Sequence, residues 1–180
     1  MRLFIAFDVN NNMKKYLFEI QNKLNVNNDI LKISSGFHLT LKYLGEQSKS
    51  KTELIIKELS SIKFQKFNVH TKGIGFFKKN NQIKIVWCGI EPKDEILNLK
   101  KLIDEKLKKI GFVNFDKKEF FPHITLIRVK KINDVSLFKE NIKNLKKKEI
   151  ESVVDSFTLY KSTLTEHGPI YNVIERFKLV

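Results

Sequence analysis

Two matched pairs of residues in this sequence have side chains that could do acid–base chemistry. His38 and Thr40 are separated by one leucine, His123 and Thr125 by one isoleucine, and a leucine follows each threonine. Two histidines with pKa values near ~6.5 can supply a base and an acid together at neutral pH. Hydroxyl groups can hold phosphate oxygens. The set is typical of phosphodiester opening, in which a base takes a proton from water and an acid protonates the departing oxygen.

The ligand types in these pairs argue against a metal centre. Neither pair includes an Asp, Glu or Cys, and two histidines without such ligands would make a poor zinc site. We therefore expect no metal and no cofactor. A single His-x-Thr would ordinarily be the polar face of a strand, whereas two copies placed alike favour a shared chemical role.

Alternation along a strand decides which side chains can join these pairs. In the strand predicted around the first pair, His38, Thr40 and Lys42 point one way, so Lys42 is a candidate for steering an anionic substrate. In the second strand, strict alternation puts Arg128 on the face opposite His123. A β-bulge or a strand end would be needed to bring Arg128 round to the histidine.

The elements around the two pairs repeat in the same order. Each half is predicted as strand, helix, His-x-Thr strand, helix and strand, and the helix after each motif begins 11 residues beyond its histidine (49 − 38 and 134 − 123). This predicts one α+β domain over residues 1–180, with an internal repeat of roughly 1–78 and 79–180. We expect two lobes related by a pseudo-two-fold axis. Two mainly antiparallel sheets would line a central groove with the helices outside, and the C-terminal strands could cross between the lobes.

The predicted elements follow from hydrophobic periodicity and turn residues. A helix is predicted from Met13 to Leu24, and a turn is predicted at Gly73 and Gly75. One strand is predicted over Glu151–Ser162. The Asn-rich segment Lys78–Gln82 is predicted to be a basic loop.

Composition indicates an anionic partner. The chain has 34 Lys and Arg against 20 Asp and Glu, a net charge of +14, which suits a polyanion such as nucleic acid. Nothing reaches transmembrane length, and the single cysteine, Cys88, lies in an apolar run. We expect a cytoplasmic monomer with no membrane contact and no obligate protein partner.

The two motifs and their flanks resemble a known family. His38-Leu39-Thr40-Leu41 and His123-Ile124-Thr125-Leu126 resemble the signature of the 2H phosphoesterases. Further segments are similar to its RNA 2′,3′-cyclic phosphodiesterase branch, also called 2′-5′ RNA ligases: Met1-Arg2-Leu3-Phe4-Ile5-Ala6, Lys42-Tyr43-Leu44-Gly45, Phe121-Pro122, Arg128 and Ser162…Gly168-Pro169-Ile170-Tyr171. The likeness covers essentially the whole chain.

This resemblance implies a fold and a reaction. The fold would be bilobal with a central groove, and the partner would be an RNA with a 2′,3′-cyclic phosphate end, hydrolysed without metal to a 2′-phosphate. By carry-over, His123 would activate water and His38 would protonate the leaving 3′ oxygen. Thr40 and Thr125 would bind the phosphate, and Arg128 matches a position that assists in phosphate binding.

Other functions remain open at the level of sequence. The reverse reaction, ligation of RNA halves (such as tRNA halves) through a 2′-5′ linkage, would use the same groups. A nucleotide-sized cyclic phosphate is a second possible substrate, although the net charge favours longer RNA. A non-catalytic RNA-binding module would leave the two matched pairs unexplained.

Several remaining histidines and aromatic residues are given structural roles. His70 lacks a threonine two residues further on, so we predict a core or surface histidine. His167 is expected to face solvent in a turn. Phe7, Phe76 and Phe77 could stack a base but are more often core residues.

Overall fold

A computed structural model describes residues 1–25, 29–34, 36–112, 119–166 and 168–180. These ranges contain nine strands: β1 Arg2–Asp8, β2 Ile30–Ile33, β3 His38–Glu46, β4 Phe67–Lys79, β5 Gln82–Glu91, β6 His123–Lys131, β7 Glu151–Val154, β8 Ser156–Thr165 and β9 Gly168–Lys178. They also contain four helices: α1 Asn11–Leu24, α2 Lys49–Ser60, α3 Lys93–Lys109 and α4 Val135–Asn144. None of these helices is long and apolar enough to cross a membrane.

Three of the four described helices begin at a residue whose side chain caps the first turn. The Asn10 side chain accepts a hydrogen bond from the Met13 amide at the start of α1. Ser48 caps α2 and Asp134 caps α4 in the same way, through the Lys51 and Leu137 amides. Each cap satisfies an amide that the helix itself leaves without a partner. These caps fix where α2 and α4 start: α2 begins 11 residues after His38 (49 − 38), and α4 begins 12 residues after His123 (135 − 123), one residue later than predicted.

The described strands form one nine-stranded antiparallel sheet, and not the two sheets predicted from the sequence, with a four-stranded part in each lobe. The first lobe contains β3-β1-β8-β9 and the second β6-β5-β4-β7, and β2 pairs with the free side of β6. Pairing between β3 and β6 comprises one residue pair, Leu39 with Ile124, which makes the whole order β7-β4-β5-β6-β3-β1-β8-β9 continuous. The α+β duplicated fold predicted from the sequence is confirmed.

Each half of the chain contributes two strands to the other lobe, β2 and β4 from the first half and β8 and β9 from the second. β4 comes from the first half and pairs with β5, whereas β8 comes from the second half and pairs with β1. The single strand predicted over Glu151–Ser162 is therefore wrong. It splits at Asp155, because β7 pairs with β4 in the second lobe and β8 with β1 in the first.

The predicted turn at Gly73 and Gly75 is also wrong, since β4 runs through both glycines. A Cβ at position 75 would lie 2.5 Å from the Trp87 ring, so glycine here makes room for that ring rather than for a turn. The reversal falls instead at Asn80 and Asn81, both with positive φ (51° and 60°). Asparagine tolerates that region and suits a tight hairpin turn.

The larger of the two apolar clusters occupies one face of the sheet. Leu39, Leu41, Ile124 and Leu126 of the motif strands are at most 1% exposed and belong to the same apolar cluster as the buried residues of the helices. Because strand side chains alternate, the histidines and threonines between them point to the opposite face. The helices thus cover one side, and the motif residues face the other.

Candidate active site

The two motif strands have the same pattern of exposure. Along the nine residues of β3 and of β6, buried, half-buried and exposed positions follow in an identical order, starting from a half-buried histidine. Both threonines are half-buried, and among the described residues neither hydroxyl has a hydrogen-bond partner. The duplication therefore repeats the environment of the pairs as well as their sequence.

The pairing of Leu39 with Ile124 brings the motif residues together. In an antiparallel arrangement this register sets His38 beside Thr125 and Thr40 beside His123. Diagonal neighbours such as the two histidines then have Cβ atoms roughly 7–8 Å apart. That spacing leaves room for a phosphate between the two imidazoles.

A bulge follows the threonine in each motif strand. Ala6 and Ile5 of β1 pair with Thr40 and Lys42, which leaves Leu41 without an opposite residue. In the second lobe, Trp87 and Val86 pair with Thr125 and Ile127, which leaves Leu126 in the same position. An extra residue in one strand reverses the order of inward and outward side chains beyond it.

The bulge in β6 brings Arg128 to the histidine face. Strict alternation had placed it opposite His123, but Arg128 is exposed, and its charge lowers the pKa of both His38 and His123. The guanidinium is therefore close enough to both imidazoles to act on either. A phosphate held between the histidines would lie within its field.

The bulge in β3 removes Lys42 from that face, so the prediction that Lys42 shares a face with His38 is wrong. Lys42 is 5% exposed, and its Nζ lies 3.4 Å from Oδ1 of Asp104 on α3. It is a buried ion-pair residue on the helix side of the sheet. Tyr43 takes the matching place on the histidine face and is 69% exposed.

His123 has one ring nitrogen fixed by the backbone. Its Nδ1 lies 2.7 Å from the carbonyl oxygen of Phe121, and since a carbonyl can only accept, Nδ1 bears the proton. Nε2 of the neutral ring then has a free lone pair. Phe77 packs edge-on against the imidazole with centroids 5.0 Å apart, and burial lowers the pKa of His123 despite the Phe121 carbonyl.

His38 lies in a cage of aromatic rings. The centroids of Phe4 and Tyr171 are both 5.1 Å from the imidazole, and that of Tyr160 is 6.0 Å away. Burial among these rings lowers the pKa of His38 to about 4. That lowered pKa also includes a rise caused by the Asp8 carboxylate and smaller decreases caused by the positive charges of Arg128 and Lys14.

Asp8 is a site residue that sequence reasoning missed. It lies directly opposite His38 in the β1–β3 register, and its Oδ2 accepts a 2.6 Å hydrogen bond from the Tyr160 hydroxyl. Arg176 lies 3.6 Å from the same oxygen. The residue opposite His123 in the second lobe is Gly89, which offers no charge. In the sequence, the only sign of this role was an acidic residue at the end of a predicted strand. The strand register is needed to show that its neighbour is His38.

The remaining candidates lie apart from this face or within its walls. His70 is a residue of β4 outside the two motif strands. Its Nε2 lies 3.9 Å from a carboxylate oxygen of Glu91 and 3.7 Å from one of Glu149. Phe7 is fully buried, and Phe77 lines the site beside His123. His167 falls outside the described residues. Within the described ranges, no three His, Cys, Asp or Glu side chains lie close enough together to hold a metal ion.

Comparisons with known proteins agree with this fold. The family model "LigT like Phosphoesterase" matches residues 7–87 and 90–171. An RNA 2′,3′-cyclic phosphodiesterase of Methanocaldococcus jannaschii is 35% identical over 98% of this chain and 100% of its own. Its counterpart in Thermotoga maritima is 37% identical over 97% and 93%. The crystal structure of TT0787 of Thermus thermophilus superposes with a TM-score of 0.81 at 24% identity, covering 99% of this chain and 97% of that one. Because the family model and these relatives match nearly the whole chain, the chain belongs to the LigT-like phosphoesterase family.

Proposed function

We propose that this chain hydrolyses RNA 2′,3′-cyclic phosphate ends to 2′-phosphomonoesters. The observation behind the proposal is the meeting of two His-x-Thr pairs at the Leu39–Ile124 contact, with Arg128 near both imidazoles. The relatives in Methanocaldococcus jannaschii and Thermotoga maritima, named as RNA 2′,3′-cyclic phosphodiesterases, support the same substrate.

His123 is the base in this proposal. Its Nδ1 proton is held by the Phe121 carbonyl, so Nε2 is free to take a proton from water. Its lowered pKa keeps the ring neutral and ready to accept. The water oxygen then attacks phosphorus as its proton passes to Nε2.

His38 is the acid. The bond from phosphorus to the 3′ oxygen breaks, and His38 delivers a proton to that oxygen, leaving the phosphate on the 2′ oxygen. Before an anion binds, burial favours neutral His38. A bound phosphate anion stabilises the imidazolium, as the Asp8 carboxylate does, and so raises the pKa of His38 from about 4. Substrate binding thus favours the protonated form of His38, which the reaction needs.

The hydroxyls and the guanidinium bind the phosphate. Thr40 and Thr125 lie beside the opposite motif's histidine and have hydroxyls free to donate to non-bridging oxygens. Arg128 adds a positive charge where negative charge accumulates in the transition state. These groups supply both proton transfers and the charge stabilisation from side chains alone, so we expect turnover to be insensitive to EDTA.

The chain is also proposed to act as one cytoplasmic unit. Both motif strands belong to the same chain, so the site needs no second copy. The exchange of β4 and β8 between lobes supports a single domain over residues 1–180. The buried, unpaired Cys88 fits a reducing compartment.

The test is hydrolysis of an RNA 2′,3′-cyclic phosphate by single histidine variants. His38→Ala and His123→Ala should each lower kcat by about 10²–10⁴-fold, the usual contribution of a positioned proton-transfer group. His70→Ala is the matched control, since His70 lies apart from the motifs, and should keep wild-type turnover. Near wild-type rates in both motif variants would refute the proposal. RNA binding without turnover by the wild-type chain would favour the non-catalytic module.

A further inference from the structure

We propose that a cleft at the far end of β6 binds the RNA strand upstream of its cyclic phosphate end. This basic cleft lies between the ends of β5 and β6 and the start of α4, and its polar lining is Asn81, Gln82, Lys84, Lys130 and Lys131. The inference rests on the proposed function for the identity of the reacting end. The cleft itself lies outside the groove that holds the histidines.

The lining of the basic cleft suits a single-stranded nucleic acid. Three ammonium groups can pair with phosphates, and the amides of Asn81 and Gln82 can donate to and accept from base edges. Ile83 and Val129 give the cleft an apolar floor against which a base can pack. Among the described residues, none of the three lysines has an acidic partner, so their charges are available to a ligand.

Strand β6 connects this cleft to the reacting groups. Lys130 lies seven residues beyond His123, a distance of about 23 Å at ~3.3 Å per residue. Arg128 lies between these two residues in β6, on the histidine face. A single nucleotide bound at His123 is too short to reach Lys130, whereas a strand of several nucleotides can touch both. The cleft therefore recognises chain length rather than the cyclic phosphate.

A comparison of the two motif strands indicates that the RNA extends from the histidines along the second lobe. Positions seven and eight beyond the motif histidine are Lys130 and Lys131 in β6 but Gly45 and Glu46 in β3. Glu46 lies 3.2 Å from the N-terminal amine of Met1, so the end of that strand already has its own ion pair. The end of β6 is cationic and the end of β3 is not, which gives the bound RNA strand a direction.

The experiment compares two triple variants of equal net charge. Lys84, Lys130 and Lys131 are changed to alanine in one. The control changes Lys23, Lys57 and Lys101, which lie on the outer helices. Binding is measured by fluorescence anisotropy with a 2′-phosphate-ended RNA of about eight nucleotides, within the usual range for single-strand sites, and with a 2′-phosphate mononucleotide.

The cleft variant should bind the oligomer at least tenfold more weakly at low salt. The slope of log affinity against log salt should become shallower by about 2, since each lost phosphate contact contributes about 0.7. Mononucleotide affinity should stay at the wild-type level, and the helix control should keep both values. Equal losses in the two triple variants would overturn the proposal, because charge alone would then explain them.

Two further arms separate this inference from its alternatives. The binding assay needs no turnover, so a chain that hydrolyses no cyclic phosphate would refute the proposed function while leaving the cleft testable. Vesicles of phosphatidylcholine and phosphatidylserine supply a second anionic surface. If the cleft variant lost vesicle binding and kept oligomer binding, the cleft would be a membrane site, and the RNA assignment would be wrong.

Discussion

The two lobes place the same strand in the same environment and then surround its histidine with different groups. His38 has the Asp8 carboxylate opposite it and a cage of Phe4, Tyr160 and Tyr171. His123 has Gly89 opposite it and the Phe121 carbonyl on Nδ1. Duplication of the strand thus accounts for the geometry of the site. In the proposed mechanism, the differences between the lobes decide which histidine gives a proton and which takes one.

A second difference lies just beyond the bulges. Arg128 occupies the position that Tyr43 occupies in the first lobe, so the charge acting on the phosphate comes from one side. The cation disfavours a protonated form of either imidazole, and in the first lobe Asp8 opposes that effect. In the proposed mechanism, His38 therefore becomes the acid only where a carboxylate and a bound anion offset the arginine.

Replacing Arg128 should have the largest effect on this comparison. Arg128→Ala removes the charge facing the phosphate and should lower kcat/KM by about a hundredfold or more, as loss of one transition-state donor does elsewhere. Tyr43→Phe, at the matching position in the first lobe, is the control and should change kcat/KM little. Steady-state kinetics on one cyclic-phosphate RNA measures both. Equal losses would mean that the two positions contribute alike, contrary to an asymmetric site.

The arginine also illustrates where sequence reasoning ends. The His-x-Thr pairs, the repeated order of elements and the α+β duplicated fold could all be predicted, because each depends on local periodicity. The sequence could not predict that Arg128 lies on the histidine face and Lys42 on the opposite face. Strict alternation along a strand does not show that Leu41 and Leu126 have no opposite residue. One extra residue in each strand was enough to reverse both assignments.

Other differences have similar causes. Asp8 was missed because its place beside His38 depends on the register between two strands rather than on sequence spacing. The glycines of β4 suggested a turn, whereas Gly75 is needed to admit the Trp87 ring from the neighbouring strand. The four-residue strand β2 is too short for a periodic signal and exists because β6 offers it an edge. In each case a contact distant in sequence decides the structure.

Neutralising Asp8 should have the next largest effect. Asp8→Asn removes the negative charge that raises the pKa of His38, so this pKa should fall and the acid should lose its proton at lower pH. The alkaline limb of kcat should move to lower pH, with about a tenfold loss in kcat on that limb for a shift of one pH unit. The acidic limb of the kcat–pH profile, which depends on the pKa of His123, should not move.

The control for Asp8 is Tyr160→Phe, which removes a hydrogen bond and leaves the carboxylate. It should shift the alkaline limb less than Asp8→Asn does. Titration of the two imidazoles by NMR gives a readout independent of turnover: the His38 resonance should move and the His123 resonance should not. A parallel shift of both pKa values would show that Asp8 acts on the whole groove rather than on one lobe.

The smallest expected effect concerns packing in the second lobe. That lobe places Trp87 opposite Thr125, where the first lobe places Ala6 opposite Thr40. Gly75→Ala would push a methyl group against the Trp87 ring and should lower the free energy of unfolding by about 1–3 kcal/mol. Urea unfolding measures the change. Gly89→Ala, whose Cβ would have ordinary contacts beginning at 3.5 Å, is the control and should cost less.

The assignment of acid and base to the two lobes is tested most directly by a change in the leaving group. An RNA cyclic phosphate with sulfur in place of the 3′ oxygen releases a thiolate, which needs no proton from an acid. If His38 is the acid, His38→Ala should approach the wild-type rate on this substrate while remaining slow on the oxygen substrate. His123→Ala should stay slow on both, because water still needs a base. Rescue of His123→Ala, or of neither variant, would contradict the account.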